Sequence, residues 1–406
     1  DGSGSVDLDG VSGTGVINAV DGDIRIAQGI GSVNFAGELN TRNHTFQVDA
    51  GGLFNDGTLN LNGGTYRAFD LVQAGRLSVG PDSDAEIDAL VTFRTASVND
   101  LATTLTLAQD AEVQAGASFS GAGTLRVGAG TTAQLHDGAN IDVAVLNEGR
   151  VEPGDSPGAA TVAAFKAAPN SELAIEIGGV QPAMEYDRLV VNGAASLDGE
   201  LDVTLVDLGG GTFAPLGGDT FEIITASSIS GSFDTPAAQL PALGPELEWF
   251  IDYNATNVAL EVMADYLVGD MNNDGAVNFG DLSPFTAALT DPVAYQNMFP
   301  TLNRVGRCDV SGDRLCNFGD LAAFGDQLVG IGSAAGSAAQ AGVPEPMVRP
   351  PGHPETAVGT SGLRRCTDAA PVDRRPRRGG GDGVARGGPG RSDLVDRRGR
   401  PGDRRG

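Results

Sequence analysis

Asp270, Asn272, Asp274, Asn278 and Asp281 place oxygen-bearing side chains at positions 1, 3, 5, 9 and 12 of one loop-length stretch. Ala276 at position 7 can add its backbone carbonyl. Gly275 at position 6 allows a sharp turn through φ > 0, where a Cβ would be costly. Alternate residues of a tightly curled loop can all aim at one centre. Oxygens gathered in this way suit calcium, a hard cation that takes about six to eight oxygen ligands.

The pattern returns, degraded but in register, over residues 309–320, and Asn-Phe-Gly-Asp-Leu occurs identically at 278–282 and 317–321. A single acidic loop of this kind can be a plain turn. Here each copy is followed by apolar residues at helical spacing, Leu282, Phe285 and Leu289 after the first and Leu321, Phe324 and Leu328 after the second. Two loop-helix units with such stripes can pack on each other into a small core.

The schedule is similar to the EF-hand calcium loop, with Asp rather than Glu at position 12. Over about 265–330 the chain resembles the dockerin type I domain, in which each of two calcium loops is followed by a helix. The resemblance implies two Ca2+ sites. The first would use Asp270, Asn272, Asp274, the Ala276 carbonyl, Asn278 and Asp281. The second would use Asp309, Ser311, Asp313, the Leu315 carbonyl, Asn317 and Asp320. Arg314 stands where Gly is expected, so the second loop should be strained or reshaped, carry an extra positive charge near the ion and bind calcium more weakly. The connector from Thr290 to Cys308 is long for the family and contains the turn signals Asp291-Pro292 and Phe299-Pro300. Calcium should fold the module, because its carboxylates repel one another without it. The resemblance also implies docking to a cohesin-like or other surface protein through one face of the helix pair. In several systems dockerins attach polysaccharide-degrading proteins to a scaffold. Ser283 and Thr286 correspond to Ala322 and Gly325, so the two faces differ.

Cys308 precedes the second loop and Cys316 occupies its position 8, where the first loop has Val277. Cys316 is therefore either a small apolar core residue or the partner of Cys308 in a disulfide, which would suit an exported protein.

The elements that must carry these loops are β-rich. The chain is long enough for two or three domains, with 60 glycines, 5% aromatics and Lys166 as its one lysine. Residues 1–150 repeat short alternating segments such as Gly57-Thr-Leu-Asn-Leu, Gly75-Arg-Leu-Ser-Val, Gly123-Thr-Leu-Arg-Val and Gly149-Arg-Val, with Thr104-Leu-Thr-Leu and Ile141-Asp-Val between them. Alternation after a Gly or Asn turn marks half-buried strands. Spacings of roughly 18 to 26 residues fit the rungs of a solenoid. Residues 151–265 predict longer strands at 173–177, 189–191, 197–206, 221–225, 247–253 and 258–262. Glu152-Pro-Gly-Asp-Ser-Pro-Gly158 at their head resembles a segment of bacterial autotransporter-type β-strand repeat proteins, which implies surface exposure rather than a reaction. The expectation is a mainly β chain: a right-handed β-solenoid (1–150), a β-rich cap shielding its open end (151–265) and a small α-helical module of paired EF-hand-like loops (266–330).

Residues 331–346 form a Gly/Ala/Ser-rich linker ending in Val343-Pro-Glu-Pro346, which resembles the start of a PEP-CTERM sorting signal. That signal continues with an apolar membrane segment, whereas residues 347–406 are rich in Arg, Gly and Pro. A frame-shifted reading of a GC-rich gene would produce this composition, and a basic disordered tail is the alternative. Membrane contact is expected only if the native C-terminus carries a sorting helix.

The net charge is −27, from 26 basic and 53 acidic residues. Residues 347–406 hold 14 arginines and 7 acids, which leaves the rest of the chain with 12 basic and 46 acidic residues, a net −34. Such a body argues against nucleic acid and suits a calcium-rich extracellular or cell-surface setting. His44, His136 and His353 share no spacing that would build a zinc site or a Ser-His-Asp triad, and His44 and His136 read as surface corners. The enzyme alternative is a polysaccharide hydrolase or lyase on a β-helix, attached to a complex by its dockerin, with extracellular polysaccharide as substrate. Its only close acid pairs, Asp21/Asp23 and Asp82/Asp84, are flanked by Gly or Pro and read better as turns; Arg67, Arg76, Arg94 and Arg126 could line a groove. A third reading makes the loops purely a structural calcium clamp at the solenoid's end.

Overall fold

The structure, a computed structural model, describes residues 6–8, 16–19, 22–26, 33–35, 37–49 and 52–330. The expected linker with its Val-Pro-Glu-Pro motif and the expected tail, including His353 and Cys366, lie outside the described residues, as does Asp21.

The chain is mainly β, with a β-solenoid of about 7 turns and a few short helices near 279–329. Strands stack in parallel ladders, each residue in register with one on the next turn. One ladder climbs from Val16 to Glu38, Thr58, Arg76, Val98, Ser118 and Asn140, in steps of 22, 20, 18, 22, 20 and 22 residues. A second carries Leu53, Leu71, Val91, Ala111, Ala133, Val151, Leu173 and Leu201 directly over one another, all of them buried. The alternation read in the sequence is therefore the inside and outside of the coil: Thr124–Val127 buries Leu125 and Val127 and turns Thr124 and Arg126 outward. Each inward side chain packs on the same row of the turns above and below, so the core needs few aromatics.

The glycines that open these strands answer to backbone proximity. A Cβ on Gly123 would lie 2.1 Å from the Thr103 carbonyl oxygen, and one on Gly149 would lie 2.3 Å from that of Gly128. The acids at the corners serve the same stacking. Asp23, Asp84 and Asp110 accept the backbone N–H of Thr45, Thr104 and Thr132 at 2.7, 3.0 and 2.7 Å, each one turn further on. Asp137 does the same for Ala159.

Past the seventh turn the direction of pairing changes. Thr220–Thr225 runs antiparallel to Asn257–Ala264, which runs antiparallel to Leu247–Tyr253. Phe221 sits at the centre of this end sheet, edge-on to Tyr186 at 5.4 Å and 5.9 Å from Trp249. The strand expected over 197–206 is two strands, Ala194–Leu197 and Glu200–Leu205. A turn through Gly199 at φ 69° separates them, and each joins a different neighbour. Period-2 alternation cannot register a corner whose flanking residues keep phase.

Asp187 is the buried acid of this region, 4% exposed, and it accepts the N–H groups of Gly158 and Glu176 at 2.7 Å each. Burial pushes its carboxyl up to about 7, against the pull of those two N–H groups. In the unfolded chain it titrates near ~4. Its contribution to stability is thus fully present below about pH 4 and is lost as pH rises through about 7. Asp187→Asn should flatten that decline between pH 4 and 8 in urea unfolding, where the wild type loses at most about 1.4 kcal/mol per pH unit from this group; parallel slopes would contradict the assignment. Leu125→Ala, in the middle of an inward row, should cost about 2–5 kcal/mol in the same assay.

Candidate metal centre

The two loops fold on a common hydrogen-bond plan. In the first, Asp281 at position 12 takes the N–H groups of Met271 (2.7 Å) and Asn272 (3.1 Å) on one oxygen and that of Asn278 (2.9 Å) on the other. In the second, Asp320 takes Ser311 N–H on one oxygen and Asn317 N–H on the other, both at 2.9 Å. Asp270 accepts from Asp274 and Gly275 at 3.2 and 3.0 Å, and Asp309 accepts from Gly312, Asp313 and Arg314 at 2.8, 3.0 and 2.7 Å. These bonds curl each loop and hold the carboxylates of positions 1 and 12 inside it. Asp270, Asp281 and Asp320 are buried.

The curl needs left-handed backbone at two positions per loop. Asn273 (φ 58°) and Gly275 (φ 87°) supply it in the first, Gly312 (φ 77°) and Arg314 (φ 69°) in the second. The second loop carries its glycine at position 4 instead of position 6. The strain anticipated at Arg314 is therefore present, but the charge leaves the loop. The guanidinium bonds Asp219 at 2.5 and 2.9 Å and lies 5.1 Å from the Phe213 ring centre. The positive charge expected beside the second loop is thus paired with the Asp219 carboxylate.

In the second loop one carboxylate oxygen each from Asp309, Asp313 and Asp320 lies within 4.8 Å of the others. Burial pushes the Asp309 carboxyl up, opposed by backbone N–H groups and reinforced by the charge of Asp320. In the first loop, Asp274 faces the side-chain amides of Asn272 (3.1 Å) and Asn278 (3.3 Å), which hold its carboxyl low. The Ala276 carbonyl accepts from Asn278 at 3.2 Å, Ser311 Oγ is 3.5 Å from Asp309, and Asn317 Nδ2 is 3.3 Å from Asp313. Leu315 donates its N–H to Asp313 at 2.9 Å and exposes its side chain. The second loop thus brings three carboxylates together, whereas in the first Asn272 and Asn278 turn their amide nitrogens toward Asp274. The residue types at the twelve expected positions are nonetheless oxygen donors of the kind that suits a hard divalent cation.

Behind the loops, Leu282–Thr290 and Asp320–Gly330 meet through Phe285 and Phe324, stacked at 3.9 Å and both buried. Ala288, Leu328, Met271 and Tyr295 complete that core, and Tyr295 donates to the Met271 carbonyl at 3.0 Å. Leu282 and Leu321, expected in the apolar stripes, are 46% and 53% exposed. Each sits at the start of its helix, beyond the reach of the Phe–Phe contact. Cys308 and Cys316 form a disulfide, which encloses positions 1 to 7 of the second loop in one ring.

Sequence reasoning missed Arg307. It is fully buried, bonds both oxygens of Glu246 at 2.7 and 3.0 Å, and reaches the Asp270 carbonyl at 2.5 Å and Asn273 Oδ1 at 2.8 Å. Its only sequence signal was its place one residue before Cys308.

The residues weighed for solenoid chemistry are occupied otherwise. Arg67, Arg76 and Arg126 pair with Asp88, Asp100 and Glu148 on neighbouring turns, and Arg94 lies 5.9 Å from the Phe54 ring. His44 lies 4.0 Å from Asp23, while His136 is held between Asp155 and, at 3.1 Å, Glu112. No protein-family model matches the chain, and no curated protein matches it either.

Left-handed backbone costs an L side chain about 1–2 kcal/mol. Arg314→Ala and Arg314→Gly both lose the Asp219 pair, but only Gly relieves the backbone. The Gly variant should exceed the Ala variant in unfolding free energy by about 1 kcal/mol, and the reverse order would rule out a left-handed position 6.

Proposed function

We propose that the chain is an extracellular or cell-surface β-solenoid protein whose paired loops bind calcium as a dockerin-like module and dock a partner protein. The observation that carries this reading is the repeated loop plan, in which the carboxylates of positions 1 and 12 are gathered by backbone N–H groups and positions 3, 5 and 9 again offer side-chain oxygen. Calcium supplies the positive charge that lets these carboxylates share a small volume. Asp270, Asn272, Asp274, Ala276, Asn278 and Asp281 hold one ion, and Asp309, Ser311, Asp313, Leu315, Asn317 and Asp320 hold the other. The two sites differ in affinity: the second spends backbone strain at Arg314 and gains a ring closed by Cys308–Cys316. That disulfide is also the observation that favours an exported protein, since such bonds persist in oxidising compartments.

The docking face is formed where each loop meets its helix. Phe279 and Phe318 occupy the same position of the two loops and are 76% and 69% exposed; Leu282 and Leu321, three residues on, are exposed beside them in sequence. Large apolar side chains left in water at equivalent points of a duplicated unit suit a protein partner. Thr286 spends its hydroxyl on the Leu282 carbonyl at 2.8 Å, so it adds little polar recognition.

The test is capture from the same cell's secreted fraction by the full chain, in calcium and in chelator. Calcium-dependent capture should be lost in the Phe279→Asp/Phe318→Asp double variant while calcium binding persists. Equal capture in chelator, or by the double variant, would refute docking through this face.

A further inference from the structure

Two arginines tie the paired loops to the end sheet of the solenoid, each by a different route. Arg307, wholly buried, makes a two-pronged pair with Glu246, the residue just before Leu247–Tyr253. Its remaining donors reach into the first loop, to the Asp270 carbonyl and Asn273 Oδ1, with Asp270 Oδ2 3.8 Å away. Arg314, within the second loop, pairs with Asp219, the residue just before Thr220–Thr225. Leu247–Tyr253 and Thr220–Thr225 are the two strands that flank Asn257–Ala264. The loops therefore span the end sheet, one anchored to each flanking strand.

Three features indicate that this seam is built rather than incidental. A buried guanidinium is costly unless every face is satisfied, and Arg307 meets a carboxylate, a carbonyl, an amide oxygen and the Tyr266 ring, 5.4 Å from its centre. Both anchors accept left-handed backbone at a non-glycine residue, Glu246 at φ 61° and Arg314 at φ 69°, and such strain persists only where the surroundings over-determine it. The backbone at the seam is also close: a Cβ on Gly306 would lie 1.9 Å from Tyr266 Oη, and Asn303 N–H donates to Glu246 at 2.8 Å.

We propose that calcium in the two loops clamps the end sheet, so that ion binding stabilises the solenoid through Glu246–Arg307 and Asp219–Arg314. The proposal rests on the calcium reading above. The ligand positions and the anchors share residues: Arg307 holds the curl of the first loop at positions 1 and 4, and Arg314 is position 6 of the second. A loop tightened around an ion presents its arginine in one place, and an anchored arginine pre-forms the loop. The coupling must run equally in both directions.

The chain reports on its own end sheet, because Trp249 is its one tryptophan, is buried, and lies in Leu247–Tyr253. Thermal unfolding of the full chain is followed by Trp249 fluorescence with calcium chloride and with chelator, beside calorimetric calcium titration. The wild type should melt at a higher temperature in calcium. Glu246→Gln/Asp219→Asn removes the charge and one acceptor oxygen from each anchor with near-isosteric side chains. It should still bind calcium, about tenfold more weakly, and its Trp249 midpoint should no longer respond. Asp274→Ala/Asp313→Ala removes exposed ligand positions and leaves the anchors. It should melt like the wild type in chelator, whether or not calcium is added. A wild type that binds calcium with no change in the Trp249 midpoint overturns the clamp, as does an equal rise in the anchor variant, and in both cases the calcium reading stands. A wild type that binds no calcium removes that reading and the clamp with it.

Discussion

Parallel strands that bond to copies of themselves one turn away impose the constraint on which this molecule depends. Strands of the coil bond in register to the turns above and below, and the stacking places buried positions over buried positions. Glycine is required where two turns approach backbone to backbone, as at Gly123 and Gly149. Aspartate is favoured at corners because its carboxylate can take the first N–H of the next turn. The acidity of the body follows in part from that repeated use. The same stacking leaves a coil with an end, and unpaired strand edges there invite other chains.

The end is managed by changing the direction of pairing and then covering the change. Around the antiparallel strands Tyr186, Phe213, Phe221 and Trp249 cluster, continuing the core of the coil with a denser group of aromatic rings. The paired loops sit next in the chain and join this sheet through buried or half-buried charge pairs. A charge pair with little access to water is a demanding way to join two elements, because removing one partner strands the other. It also gives direction and register that apolar packing does not. Arg314 illustrates the exchange: a residue that fits its own loop poorly is retained where its guanidinium finds Asp219 and the Phe213 ring.

Much of this was legible in the residues. Short alternating segments opened by glycine, at solenoid spacing, marked the rungs, since period-2 alternation and glycine placement are local properties. The two loops were legible because ligand position, like glycine position, is set by a turn a dozen residues long. Leu282 and Leu321 were misread because helical spacing defines a stripe but not how far along the stripe the neighbouring helix reaches. The corner at Gly199 was missed because alternation keeps its phase across a turn of suitable length. Arg307 was invisible, for a lone arginine beside a cysteine resembles any solvated charge.

By itself, then, the sequence determined that there is a coil, its turn length, the polarity of its faces and the oxygen-rich character of both loops, because each depends on residues within about one turn of one another. It misplaced the coil's end, since the parallel ladders run on through Leu173 and Leu201, past the expected boundary at residue 150. The tertiary structure decided which charges meet. Glu246 and Arg307 are 61 residues apart, and Arg314 and Asp219 are 95 apart. It also decided between the two readings of Cys316 by bringing it to Cys308. Pairing across such distances is fixed by how the chain packs after the coil ends, and local residue pattern carries no record of it.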